Sequence, residues 1–229
     1  LYMVLEYLSH RQVNISTVED PVEKNVPSIN QTQVNPVAGL TFESGLRALL
    51  RQDPDIIMVG ETRDGETAGI SVRAAITGHL VLSTLHTNDA VSSIVRLVDM
   101  GIDHYLIANS LVGLVAQRLM RKVCPHCGRE VAVTPQEQAL LGKDITTIKR
   151  GTGCAHCNGT GYRGRIAVHE IVTIDRNIRR MISRGAEIEE IEAYAREQQG
   201  MRSLKEKGLE LVTQGVTTPE ELLRIAYYA

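Results

Sequence analysis

The sequence is poor in aromatic side chains and has no strong excess of either charge. Its 229 residues include no Trp and one Phe, and the formal net charge at pH 7 is −2. A core must therefore be mainly aliphatic, and no general attraction to nucleic acid or anionic lipid is expected. The longest uncharged, apolar-leaning stretch, residues 105–117, is shorter than the ~20 apolar residues of a membrane-spanning helix. These absences predict a soluble, cytoplasmic protein.

The most informative stretch that is present covers residues 51–64. Four apolar residues, Ile56–Val59, stand between an Asp-Pro-Asp turn and the pair Gly60-Glu61. A short apolar run bounded by turn residues is typical of a parallel strand buried on both faces. Such a strand carries the residues after it to the carboxyl edge of the sheet, where open α/β folds place ligands. In a nucleotide hydrolase, a carboxylate at this place holds the magnesium shell or the attacking water.

Two further segments have the same form. Residues 15–23 predict a strand that ends in clustered carboxylates, and residues 78–89 predict an apolar strand that ends in Ser, Thr, His and Asn. Three strands with polar tips, separated by helix-like segments, are the layout of a core whose strand ends build one site. The expected fold class is therefore α/β with a mainly parallel sheet.

In this order the three segments resemble the acidic box, the Walker B strand and the histidine box of the secretion ATPases. These are the hexameric motors of type II secretion and type IV pilus assembly. The resemblance covers essentially the whole chain, and the Gly-Glu-x-Arg-Asp signature at 60–64 is specific. Thr62 stands where the family usually has an aliphatic residue, which we interpret as tolerated. The resemblance implies part of a RecA-like P-loop NTPase core, then a zinc-binding knob and a C-terminal helical region.

The P-loop itself is missing from the sequence. No segment matches G-x-x-x-x-G-K-[ST], the loop whose backbone N–H groups and lysine hold nucleotide phosphates. In the resembled family this loop lies directly before a helix that begins like Leu1-Tyr2, and residues 1–11 already predict helix. We therefore expect a fragment that begins just after the P-loop; a natural homologue without the loop is the alternative. The chain alone is not expected to hydrolyse ATP.

The resemblance also implies roles around ATP and Mg²⁺. Glu19 would orient or deprotonate the attacking water, and Glu61 would support the magnesium shell. His86 would bond phosphate or couple the site to a neighbouring subunit, although a structural histidine is the alternative. These three residues are the predicted catalytic residues.

Other polar residues near the predicted strands are candidates for nucleotide binding. Arginines could reach across a ring interface to the phosphates, and the sequence does not choose among them. Acidic residues such as Glu23 could instead anchor a loop, and a histidine at a helix-to-strand turn could be structural. The candidates are Asp20, Arg47, Arg51, Arg63 and His79, with Arg73 as one more arginine of the region.

The cysteines point to a metal site. All four occur in two C-x2-C pairs with 26 residues between them: Cys124 and Cys127, and Cys154 and Cys157. Two such turns complete a tetrahedral Zn²⁺ shell, so a structural zinc site is predicted, and a helix at 134–141 accounts for the long spacing. Two disulfides or a redox dithiol are the alternatives. His126 and His156 are expected to face solvent.

The four-cysteine knob also narrows the resemblance. Assembly and secretion members of the family carry such a knob here and pilus-retraction motors generally lack it, so pilus assembly or type II secretion is implied. The resemblance implies that the chain assembles into a homo-hexamer and acts on an inner-membrane platform protein. The implied location is cytoplasmic, peripheral to the inner membrane. A zinc-bearing nucleic-acid-binding module on an α/β scaffold is the alternative. The sequence has no excess of basic residues, and its arginines and lysines are not interleaved with aromatic residues. Binding to nucleic acid is therefore not expected.

The hydrophobic pattern divides the chain into three parts. Residues 1–117 are assigned to the RecA-like core, 118–165 to the four-cysteine module, and 166–229 to a strand followed by helices. The predicted helices are 1–11, 41–52, 65–77, 88–100, 103–117, 176–184, 187–199, 203–214 and 218–227. The predicted strands are 13–18, 55–59, 80–84 and 166–172, with an edge strand near 31–34.

Overall fold

The computed structural model describes residues 1–142 and 144–226. They fall into two units: the first consists of residues 1–87, 91–112 and 174–191, and the second of residues 88–90, 113–173 and the described residues from 192 onward. In the part of the chain described here, no helix combines the length and apolar character needed to cross a membrane.

The first unit is built on a parallel sheet of four strands in the order β2-β1-β3-β4. The strands are β1 (Ile15–Glu19), β2 (Asn30–Gln33), β3 (Ile56–Val59) and β4 (Leu80–Ser83). Val18 pairs with Val59, and Val59 pairs with Ser83. The neighbouring strands therefore end level, so the residues that follow them meet at one edge.

Strand β3 is buried on both faces, as its apolar run predicts. Ile57 and Val59 belong to a core with α2 (Phe42–Leu49) and α3 (Gly65–Ile76). Ile56 and Met58 belong to a second core with Leu5 of α1 (Tyr2–Ser9). Strand β4, at the edge of the sheet, is only partly covered: Leu80 is 37% exposed.

Polar residues begin most of the helices of this unit. Besides α1, α2 and α3, the unit contains α4 (Ser92–Asp99), α5 (His104–Ser110) and α7 (Arg176–Ser183). The side chains of Thr41, Asp64, Asp103 and Asp175 accept hydrogen bonds from the first-turn N–H groups of α2, α3, α5 and α7. Such caps satisfy N–H groups that have no partner inside the helix.

The second unit contains two antiparallel strand pairs. β5 (Gly113–Val123) pairs with β8 (Tyr162–Thr173), and β6 (Gly128–Ala132) pairs with β7 (Thr147–Gly151). Helices α9 and α10 pack on the β5–β8 ribbon, and Met120, Val172 and Leu222 are fully buried. The helices are α6 (Pro135–Leu141), α9 (Leu204–Thr213) and α10 (Pro219–Ala226), while α8 (Ile188–Gln199) begins in the first unit and ends in the second.

The predicted helix over 103–117 is wrong beyond Ser110. The segment from Gly113 is a strand, in which Leu114 and Ala116 are buried while Val115 is 62% exposed. An uncharged run of this kind is compatible with a helix or with a strand. It forms a strand here because it pairs with β8 over most of its length. The division predicted between residues 117 and 118 falls inside this strand.

The remaining predicted elements are confirmed within a few residues. The larger differences are at the predicted helix 88–100, where α4 begins only at Ser92, and at the predicted strand 166–172, where β8 begins at Tyr162. Residues 88–90 belong instead to the second unit. The part of the predicted helix 218–227 that falls on residue 227 lies outside the described residues.

Candidate active site and cysteine cluster

The carboxyl ends of β1, β3 and β4 bring three predicted site residues to one edge of the sheet. Glu19 is the last residue of β1, Glu61 follows β3, and His86 follows β4. The N–H of Gly60 donates to the carbonyl of Val18 at 2.8 Å. A Cβ on Gly60 would lie 3.3 Å from the Cα of Glu19. The glycine of the signature therefore lets the end of β3 approach the end of β1 closely.

Glu19 is a buried carboxylate surrounded by hydrogen-bond donors. It is 3% exposed. Its Oε1 accepts from Thr17 Oγ1 at 2.5 Å and from Gln31 Nε2 at 3.1 Å, and its Oε2 accepts from the hydroxyl of Tyr2. Burial and the hydrogen bond to Glu19 raise the pKa of Tyr2. These three partners were not predicted, because two of them lie on other elements and only the sheet pairing and the packing of α1 bring them to β1.

Glu61 has a different environment. Its side chain is 14% exposed, and it lies 2.5 Å from Arg63 Nη2 and 3.4 Å from His86 Nε2. The bond from Arg63 lowers the pKa of Glu61, against the smaller opposing effect of burial. The same bond raises the pKa of the Arg63 guanidinium. Glu61 is therefore an ionised carboxylate between two exposed side chains.

Two neighbours of Glu61 have structural roles. Thr62 is 4% exposed, its N–H donates to the Thr84 carbonyl at 2.9 Å, and its hydroxyl lies 2.8 Å from Ser83 Oγ. The hydroxyl thus has a hydrogen-bond partner at the position where the resembled family usually has an aliphatic residue. Asp64 caps α3 by accepting from the Thr67 N–H at 2.8 Å.

Two of the other candidates lie away from this edge. Helices α2 and α3 return from the carboxyl edge to the starts of β3 and β4, so Arg51 and His79 lie toward the amino edge. His79 Nδ1 is 3.0 Å from the carbonyl oxygen of Ala74, and Arg47 is paired with Glu43 at 2.8 Å. Within one chain, the structure does not bring Arg47, Arg51 or His79 to Glu19. Their nucleotide-binding role stays a prediction.

Asp20 directly follows Glu19 at the carboxyl edge. Its side chain is exposed, so it differs from its buried neighbour in being open to solvent. The choice between a nucleotide-binding role and a loop anchor for Asp20 stays a prediction.

The four cysteines converge in the second unit. All four Sγ atoms lie within 4.8 Å of one another. The Sγ distances are 3.9 Å for Cys124 and Cys154, 3.8 Å for Cys127 and Cys157, and 3.7 Å for Cys154 and Cys157. Four sulfurs about 2.3 Å from a central zinc stand roughly 3.8 Å apart in a tetrahedron, whereas a disulfide bond is about 2.05 Å long. The arrangement therefore fits a tetrathiolate metal site.

Backbone N–H groups point at one of these sulfurs. Cys157 Sγ accepts from the N–H of Cys154 at 3.2 Å and of Gly161 at 3.3 Å. Burial opposes ionisation of Cys157, but these bonds outweigh it and lower its pKa to about 6. Burial raises the pKa of Cys127 to about 11. The pKa values of these two neighbouring thiols are thus shifted in opposite directions.

The two histidines of the C-x2-C turns are not part of the sulfur cluster. His126 and His156 are both exposed, as expected. Their rings stack with centroids 3.9 Å apart. The inward-facing donors of the two turns are therefore the cysteine sulfurs.

The fold and the carboxyl-edge site define the class of protein. The structure superposes on a crystal structure of the pilus retraction motor PilT with bound ADP, with a TM-score of 0.71 and 26% identity over 98% of this chain and 56% of that chain. The Legionella pneumophila ATPase DotB has the same fold, with a TM-score of 0.63 and 22% identity over 95% of this chain and 52% of that chain. The fold is therefore the α/β fold of these ATPases.

Residues 1–224 match the family described as Type II/IV secretion system protein, and the chain belongs to this family. It is 50% identical over 227 residues to the type IV pilus assembly ATPase PilB of Thermus thermophilus, covering 97% of this chain and 25% of that protein. It is 48% identical over 228 residues to the type II secretion system protein E of Pseudomonas aeruginosa, covering 98% of this chain and 45% of that protein. The chain thus spans less than half the length of these relatives.

These findings confirm the family resemblance and the α/β fold. The relatives described above are named for pilus assembly or type II secretion. None of the findings supports the alternative of a nucleic-acid-binding module.

Proposed function

We propose that this chain is the part of a type IV pilus assembly or type II secretion motor that supplies two carboxylates to an ATP-hydrolysing site. The observation that carries the proposal is the carboxyl edge of the sheet, where Gly60 lets Glu19 and Glu61 stand on adjacent strands. Strand ends of open α/β sheets are where ligands bind. Membership of the secretion family, whose relatives include a pilus assembly ATPase, supports ATP as the ligand.

The two carboxylates have different roles because their surroundings differ. Glu19 is buried and accepts hydrogen bonds only, so it is suited to hold an attacking water and accept its proton. Glu61 is ionised and borders solvent, so it would hold the shell of a hard cation such as Mg²⁺. Bound Mg²⁺ would supply positive charge against the phosphate oxygens. Arg63 and His86, at the same edge, would turn from Glu61 to the nucleotide.

The proposed assembly is a homo-hexamer on the cytoplasmic side of the inner membrane, where it drives a platform protein. Exposed arginines support a ring, because Arg51 and Arg73 lie on a groove between α2 and α3, away from the chain's own Glu19. In a ring such arginines would approach a neighbour's nucleotide. ATP held between subunits would then link hydrolysis to their relative movement.

We also propose that the four cysteines hold one structural Zn²⁺. The sulfur separations of 3.7–3.9 Å match a tetrahedral tetrathiolate shell. All four positions are taken by sulfur, so the ion would have a closed shell and a structural role. Residues 118–165 would form this module.

ATP turnover by a P-loop chimera tests the motor proposal. In this chimera the part of the Pseudomonas aeruginosa type II secretion system protein E that precedes the matched region is joined to Leu1 of this chain. We expect magnesium-dependent hydrolysis by the chimera and none by the 229-residue chain. A folded chimera that binds ATP without hydrolysing it, or hydrolysis by the 229-residue chain itself, would contradict the proposal.

Metal analysis of the purified chain tests the zinc proposal. We expect about one zinc per chain, lost in Cys124→Ser and Cys157→Ser because ligation and local folding are linked. The matched variants His126→Ala and His156→Ala should keep the metal. Zinc loss in the histidine variants, or a disulfide mapped between the cysteines, would refute a four-sulfur shell.

A further inference from the structure

Tyr2 of α1 contacts the carboxylate proposed to activate water. Its hydroxyl donates to Glu19 Oε2. The same hydroxyl oxygen accepts from the backbone N–H of Glu23 at 3.0 Å and of Lys24 at 3.4 Å. One side chain therefore joins α1, the end of β1 and the loop after it.

The hydrogen bonds of Glu19 leave little of its carboxylate uncommitted. A carboxylate offers about two acceptor directions on each oxygen. Oε1 uses both, for Thr17 and Gln31. Oε2 uses one for Tyr2, and among the described residues no other donor to Oε2 is found. One acceptor direction on Oε2 is thus left without a donor among the described residues.

We propose that Tyr2 is a positioning residue for Glu19. It holds the carboxylate rotated so that the remaining acceptor direction of Oε2 faces the attacking water, and it keeps the loop at Glu23 and Lys24 against the site. This inference rests on the proposed function, since it assigns Tyr2 to the same hydrolytic site. The loop contact can be tested without hydrolysis.

The chain offers a matched control on the same helix. Tyr7 also belongs to α1, but its side chain is 67% exposed. Tyr2→Phe and Tyr7→Phe each remove one hydroxyl and keep the ring, so packing of α1 is preserved in both. A difference between the two variants therefore reports the contacts of the Tyr2 hydroxyl.

Amide hydrogen exchange of the 229-residue chain tests the contact to the loop. In Tyr2→Phe the N–H groups of Glu23 and Lys24 lose their acceptor. Their exchange should therefore accelerate by roughly tenfold, which corresponds to a free energy of opening lower by about 1.4 kcal/mol. In Tyr7→Phe it should not change. Equal exchange in the two variants would overturn the proposed contact.

The P-loop chimera tests the effect on hydrolysis. We expect Tyr2→Phe to lower kcat by about tenfold or more with KM unchanged, because the carboxylate is misdirected while nucleotide binding is intact. In a Glu19→Gln background, Tyr2→Phe should cause no further loss, since both changes act on one unit. Tyr7→Phe should match the wild type.

These outcomes separate the two proposals. An inactive wild-type chimera would count against the proposed function, while accelerated exchange at Glu23 would still support the Tyr2 contact. An active chimera in which Tyr2→Phe keeps full kcat, or in which Tyr2→Phe and Glu19→Gln act additively, would overturn the positioning role.

Discussion

At the scale of single residues, environment rather than residue type separates the two carboxylates of the site. Glu19 accepts hydrogen bonds from three side chains in a buried position, while Glu61 is held between Arg63 and His86 next to solvent. Titratable groups in contrasting environments commonly take contrasting roles. We therefore propose water activation for Glu19 and cation binding for Glu61.

This contrast predicts different magnesium dependence for the two glutamine variants. In the P-loop chimera, the Mg²⁺ concentration at which ATP affinity reaches half its maximum should be roughly tenfold higher for Glu61→Gln than for the wild type. The reason is that a neutral amide is a poorer ligand for a hard cation. Glu19→Gln should keep the wild-type requirement. Calorimetric ATP titrations at several Mg²⁺ concentrations measure it, with Glu189→Gln on the exposed face of α8 as control. A shifted requirement in Glu19→Gln and none in Glu61→Gln would reverse the assignment.

At the scale of elements, an ion pair between the partly exposed Arg121 and the buried Glu221 joins β5 to α10. Glu221 is 3% exposed and accepts from the N–H of Arg121 at 2.8 Å and from its guanidinium at 2.8 and 2.9 Å. The guanidinium also lies 4.1 Å from the ring centroid of Tyr162. Burial opposes ionisation of Glu221, but the bonds from Arg121 outweigh it and lower its pKa.

The lowered pKa of Glu221 predicts a pH-dependent loss of stability. The stabilisation by ionised Glu221 is fully present above the ordinary glutamate pKa of 4.5 and is lost as the pH falls through the lower pKa of the folded state. Glu221→Gln should therefore cost about 1–3 kcal/mol at pH 6, and less as the pH is lowered toward 3. Urea unfolding across this range measures the difference. A cost that is constant or grows at low pH would contradict the assignment, and Glu189→Gln should have little effect throughout.

The close approach of β1 and β3 predicts that Gly60→Ala damages the site more than the fold. The added Cβ would stand 3.3 Å from Glu19 Cα and 3.4 Å from the Val18 carbonyl oxygen, so the strand ends must move apart by a few tenths of an ångström. We expect about tenfold or greater loss of turnover in the P-loop chimera, with a stability cost of about 1–3 kcal/mol. Gly113→Ala, whose Cβ would have an ordinary contact of 3.6 Å, is the control. Wild-type turnover in Gly60→Ala would show that this approach is not needed.

The sequence predicts elements well where local pattern and burial agree. The apolar run at β3 and the capped helices are examples, since their residues determine their own surroundings. Prediction fails for β5, because its pairing with β8 is a contact over about 50 residues. It fails in the same way for Tyr2 and Gln31, whose link to Glu19 depends on the placement of α1 and β2. The cysteine cluster was predictable because the C-x2-C spacing itself sets the local geometry.

At the scale of the whole molecule, the chain combines one unit with a carboxylate-bearing sheet edge and one unit with a cysteine cluster. It spans less than half the length of the pilus assembly and type II secretion relatives described above. The carboxylates of the edge act only on phosphates held in place, and no P-loop motif occurs in the sequence. Catalysis is therefore proposed as a property of the motor, to which this chain contributes the acidic side of the site.

The most direct test of this account is a single-turnover measurement with the P-loop chimera in excess over γ-labelled ATP. Rapid quenching should show phosphate release by the wild type, while Glu19→Gln should bind the nucleotide with similar affinity and release phosphate at least about 100-fold more slowly. Such a result would place the loss in the chemical step, as a water-activating carboxylate requires. Phosphate release by Glu19→Gln at the wild-type rate would contradict the proposal that Glu19 activates the water.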